Sequence, residues 1–127
     1  MNADELTTLV RTALDDMKAQ DVVILDVTGM TSIADRIVVA SGTSSRHVKS
    51  LADSVIECVK KNGVMPLGVE GDATAEWVLV DLGDVILHVM TPATRQYYDL
   101  ERLWAIGSRT EVRPGNAAQA ATKHDGA

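Results

Sequence analysis

Glu76-Trp77-Val78-Leu79-Val80-Asp81-Leu82-Gly83-Asp84-Val85-Ile86-Leu87-His88-Val89-Met90 is the stretch that decides the fold. It reads as a β-hairpin centred on Gly83-Asp84, because glycine at the first central position suits a type II′ turn. With Leu82 and Val85 flanking the turn, Val80 faces Leu87 and Val78 faces Val89. One side of the hairpin then carries six branched aliphatics, which is a core face. The other side pairs Asp81 with Ile86, Leu79 with His88 and Trp77 with Met90. An ordinary solvated sheet face would not collect that mixture, so this second face is where function is expected. A one-residue slip would exchange the two faces, so the pattern itself pins the register.

Working outward, Thr91-Pro92 precedes a last helix whose expected inner stripe is Ala93, Tyr97, Leu100 and Trp104. On the other side, Leu67 to Glu70 reads as a short strand begun by Pro66 and closed by Gly71-Asp72. Before it, Gly42-Thr43-Ser44-Ser45 turns the chain into a helix running to about Asn62, with Val48, Leu51, Ala52, Val55, Cys58 and Val59 inward. Arg36 to Ser41 is a strand whose Ile37-Val38-Val39-Ala40 run shows no alternation, which predicts burial on both faces and a central place. Val22 to Thr28 is another strand, whose Asp26 must lie at an edge or find a partner. Residues 3 to 19 form an amphipathic helix on Leu6, Leu9, Val10, Ala13, Leu14 and Met17, opened by an Asn2/Glu5 capping box.

The order α-β-β-α-β-β-β-α predicts one α/β domain over residues 1–106. It has a mixed five-stranded sheet with helices packed on one side, leaving much of the other face open. From Gly107 the periodicity stops. The stretch from Pro114 to Ala127 has no large apolar residue, so residues 107–127 are expected to be a disordered tail.

The chain has 127 residues and a formal net charge of −6. Up to Ile106 it holds nine basic against sixteen acidic residues, a balance that repels nucleic acid and anionic membranes and steers basic proteins. Solubility alone is the plainer account of that charge. The single Cys58 and the acidic amphipathic start fit a reducing cytoplasm. No apolar run is long enough to span a bilayer.

His47, His88 and His124 are scattered, without the close spacings of a zinc site, so no metal or cofactor is expected. His88 lies diagonally across the hairpin from Asp81, as a carboxylate-oriented acid/base group would. A hydrogen-bonded surface pair is the simpler alternative, since no nucleophile stands beside it. A nucleotidyltransferase would combine the Gly42–Ser45 turn with carboxylates from Glu70, Asp72 and Asp81. Against it, Gly71-Asp72 reads as a turn, and no basic cluster is present to hold a triphosphate. Trp77, Leu79, Ile86 and Met90 are too costly to leave in water, at roughly 1.5–3 kcal/mol each when buried. Either the last helix or a second molecule covers them, or they are interface anchors rimmed by Asp81, His88 and Glu70.

Gly42-Thr-Ser-Ser-Arg-His47, Pro66-Leu-Gly-Val-Glu-Gly71, Glu76-Trp77, Val80 to Met90 and Tyr97-Tyr-Asp-Leu-Glu-Arg-Leu-Trp104 together resemble the ribosomal silencing factor (RsfS, or Iojap-like) family. The resemblance runs from about residue 4 to Trp104. It implies a nucleotidyltransferase-like fold without transferase activity, which binds large-subunit ribosomal protein number fourteen. Such a protein blocks joining to the small subunit and so damps translation when nutrients are scarce. On this view Glu70, Trp77, Leu79, Asp81, His88 and Met90 are partner-binding residues. The resemblance also implies a homodimer of the free protein, through the open face or the first helix. The tail departs from the pattern, and no function is carried onto it.

Overall fold

The computed structural model describes residues 1–71, 74–99, 102 and 108–112. Its elements are α1 (Ala3–Asp16), β1 (Gln20–Asp26), β2 (Arg36–Ser41), α2 (Ser45–Lys61), β3 (Gly68–Gly71), β4 (Trp77–Asp81), β5 (Val85–Met90), α3 (Pro92–Tyr98) and β6 (Ser108–Val112). The hairpin forms in the register that alternation predicts: Trp77 faces Met90, Leu79 faces His88 and Asp81 faces Ile86. Gly83 takes the positive φ of +91° that its turn position demands.

Both long helices start where their caps place them. The Asn2 side chain accepts from the Glu5 N–H at 2.8 Å, and the Glu5 carboxylate accepts from the Asn2 N–H at 3.0 Å. The Ser44 hydroxyl accepts from the His47 N–H at 3.2 Å. Leu6, Val10, Ala13 and Leu14 of α1 and Val48, Leu51, Ala52, Val55 and Val59 of α2 bury against one sheet face. There they meet Val22, Ile24, Val38, Ala40, Val78, Val80, Val85, Leu87 and Val89.

The strand order is β3-β4-β5-β2-β1-β6. β2 runs parallel to β5 and antiparallel to β1, and it is buried from Ile37 to Ser41, the central position that its unbroken apolar run predicts. Asp26 finds a partner: the Arg36 guanidinium reaches it at 3.3 Å and also reaches Asp4 of α1 at 2.8 Å. Hydrogen bonds from Thr28, and secondarily the Arg36 charge, hold the Asp26 carboxyl below its usual range.

Three expectations need correction. The five expected strands form, but Ser108–Val112 adds a sixth by pairing antiparallel with β1, so the segment from Gly107 is not wholly a disordered tail. The unpaired outer edge of β1 supplies hydrogen-bonding partners that the composition of Ser108–Val112 does not advertise. Pro114 to Ala127 lies outside the described residues. The helices do not all share one side: α1 and α2 do, whereas α3 crosses the end of the opposite face, where Arg95 donates to Ser41 Oγ at 3.0 Å. The inner stripe of α3 also differs. Asp99 turns left-handed at φ +47° and ends the helix after seven residues, Arg95 is its buried residue, and Tyr97 is 81% exposed. Leu100 and Trp104 lie outside the described residues.

Candidate partner-binding face

The sheet face opposite α1 and α2 is organised in rows across the strands. One row runs Glu70, Leu79, His88, Val39, Val23; a second runs Trp77, Met90, Ser41; a third runs Asp81, Ile86, Ile37, Leu25. Along each row exposure falls from the β3–β4 side toward β1. Glu70 is exposed, Leu79, Trp77, Asp81, Ile86 and His88 are half-buried, and Ile37, Val39, Val23 and Leu25 are buried. The face is therefore half closed, and only its β3–β4–β5 portion is available for contact.

Five of the six sequence-predicted site residues border that portion. Met90 does not: it is 0% exposed, packed with Val23, Leu25, Val27, Ile37 and Val39, and Trp77 lies against this cluster. As the last residue of β5, paired with Ser41 of the central strand, Met90 serves as a floor under the indole and not as a surface anchor.

Trp77 is held on three sides. Its indole N–H donates to His88 Nδ1 at 3.0 Å, and the Tyr98 ring lies with its centroid 4.7 Å away, tilted by 48°. Tyr97 adds an edge-on contact to Tyr98 at 4.9 Å, so aromatic surface continues from the sheet onto α3. Burial of His88 lowers its pKa from 6.5 to about 4. The imidazole is consequently neutral at pH 7 and free to accept at Nδ1. Helical periodicity continued beyond Asp99 does not bring Tyr97 and Tyr98 to this face; the signal available in the sequence is the pair of adjacent tyrosines, five and six residues after Pro92.

The acid/base arrangement does not form. Asp81 Oδ1 accepts from the Gly83 N–H at 2.9 Å, pinning the turn, and His88 is engaged by Trp77 instead. Glu70 sits across from Leu79, and Asp72 lies outside the described residues. Among the described residues no group of three or more His, Cys, Asp and Glu could hold a metal ion.

The Gly42–Ser45 turn is likewise occupied by the fold. His47 Nδ1 accepts from the Thr43 N–H at 2.9 Å, and its Nε2–H donates to the Met17 carbonyl at 2.8 Å, joining the start of α2 to the end of α1. Glycine is needed at 42 because a Cβ there would lie 2.8 Å from Val48 N. That close approach accounts for the glycine without a phosphate.

The model of one protein family, described as "Ribosomal silencing factor during starvation", matches residues 1–127. The chain belongs to the RsfS family. It is 49% identical over 104 residues to the ribosomal silencing factor RsfS of Chromobacterium violaceum, covering 82% of this chain and 85% of that one. To RsfS of Bacillus subtilis it is 38% identical over 104 residues, 82% and 88% of the two chains. A crystal structure of a protein from Chromobacterium violaceum superposes with a TM-score of 0.81 at 46% identity, over 92% of this chain and 97% of that one. The α/β fold is thus that of solved RsfS-like structures, and the regulatory role in the names of these RsfS relatives is tied to the ribosome. Among the described residues no helix is long and apolar enough to cross a membrane.

Proposed function

We propose that this chain is a non-enzymatic repressor of translation in the cytoplasm. It binds the large ribosomal subunit through protein number fourteen and excludes the small subunit sterically. The observation that carries this reading is the half-open face itself. A tryptophan seated on a buried methionine, beside half-buried Leu79 and exposed Glu70, has the anchor-and-rim composition of an interface hot spot. Family membership supplies the ribosomal context. The net charge of −6 steers the chain toward a basic surface such as that of a ribosomal protein.

Co-sedimentation of the purified chain with isolated large subunits at low salt tests the reading. The chain is expected to pellet with them, and preloaded subunits are expected to resist joining when small subunits are added. Absence from the pellet would sink the proposal. Pelleting without any effect on joining would remove the steric mechanism.

A further inference from the structure

Trp77 could hold its indole in place by packing alone, yet its one polar atom is used, and used on a neighbouring strand. The register places His88 opposite Leu79, so its ring leans toward Trp77 two residues back along β4. The indole N–H meets Nδ1 at 3.0 Å. An acceptor at Nδ1 leaves the single proton of the neutral imidazole on Nε2. Tyr98 closes one side of the indole, and the cluster containing Met90 supports it from beneath. A half-buried indole with a satisfied N–H is fixed in one rotamer before any partner arrives.

We infer that His88 is a positioning residue, whose Nδ1 locks the Trp77 indole in its docking orientation, and that it is not itself a contact with the partner. This rests on the proposed binding to the large subunit. Losing the preset orientation of one large side chain weakens binding by about three- to tenfold, well short of what truncating the anchor itself would do.

The test uses the full chain and three substitutions. In His88→Asn the side-chain oxygen takes the place of Nδ1 and nothing replaces Nε2. His88→Gln does the reverse, and His88→Leu keeps the bulk without an acceptor. Nitrogen-15 NMR of the free wild-type protein is expected to show the Nε2–H tautomer of His88 and a slowly exchanging Trp77 indole proton. Slow exchange is expected to survive in His88→Asn and to be lost in His88→Gln and His88→Leu. Affinity for isolated large subunits should follow the same division: near wild type for Asn, about three- to tenfold weaker for Gln and Leu.

A fast-exchanging indole proton or an Nδ1–H tautomer in the wild type overturns the inference. It is equally overturned if His88→Asn keeps the protected indole but binds as poorly as His88→Leu, because His88 would then touch the partner through Nε2. Should the wild type not bind large subunits at all, the function proposal fails. The indole lock is still decided by the measurements on the free protein.

Discussion

Replacing Trp77 by alanine separates the two faces of the hairpin, provided that folding and binding are both measured. A fully buried tryptophan truncated to alanine costs about 3–5 kcal/mol of stability. Trp77 is only half-buried, so about half of that, roughly 2 kcal/mol, is expected here. The cost is not negligible, because the indole lies against the cluster that contains Met90. Val80, fully buried on the other face, loses two methyl groups on truncation. At about 0.8 kcal/mol for each, plus the cavity left behind, Val80→Ala should cost roughly 2–3 kcal/mol.

At about 4 °C per kcal/mol for a domain of this size, both variants should melt some 8–12 °C early. Binding parts them. With each protein kept below its melting range, Trp77→Ala should bind isolated large subunits about thirty- to a thousandfold more weakly, a loss of roughly 2–4 kcal/mol. Val80→Ala should bind like the wild type. Affinity of folded Trp77→Ala within threefold of wild type would refute the assignment of Trp77 as the anchor.

Other consequences of the structure are as direct to measure. In Gly42→Ala the new Cβ meets the backbone nitrogen of Val48 at 2.8 Å, which only a shift of α2 can relieve, so a loss of about 1–3 kcal/mol in a denaturant titration is expected. His88 titrates at about 4 when folded and at 6.5 otherwise, so between those values the unfolded chain takes up the proton first. The stability it contributes is complete above pH 6.5 and should fall by up to roughly 3 kcal/mol as the pH drops to 4. The melting temperature of His88→Asn should accordingly depend less on pH in that window than that of the wild type. Arg36→Met removes a guanidinium that links α1 to the end of β1, yet Asp4 is well exposed. A loss of only about 1 kcal/mol is expected, shrinking in molar salt. Ending the chain at Gly107 removes β6 and frees the outer edge of β1; melting should fall by several degrees while large-subunit binding stays intact.

The hairpin, its register and the caps of α1 and α2 were legible because each rests on neighbours in sequence. Alternation around Gly83 fixes which residues face one another, and the Asn2/Glu5 pair marks a helix start. The burial of Met90 was not legible in the same way. It depends on Met90 pairing with Ser41, a contact between strands distant along the chain. The course of α3 depends on Arg95 reaching that same serine and on a left-handed Asp99, and a residue without a β-branch gives little local warning of either. The partner of His88 was not legible for a related reason. Asp81 and Trp77 are both within diagonal reach, and the Gly83 N–H is what draws the carboxylate away.

The parallel ladder between β2 and β5 joins residues about fifty positions apart, whereas β1–β2 and β3–β4–β5 are antiparallel units closed by local turns. Local units are expected to assemble before long loops close, so this ladder, like the β1–β6 pairing of residues still farther apart, is a seam expected to form late in folding. Before it closes, β2 and β5 each present an apolar edge that invites pairing with other chains. Trp77 and His88 lie on one side of the seam, and Ser41, which receives Arg95, lies on the other. The indole has its buried floor only after the two halves have met. The half-open face around Trp77 is therefore expected to be completed late in folding, after the two halves of the sheet have met.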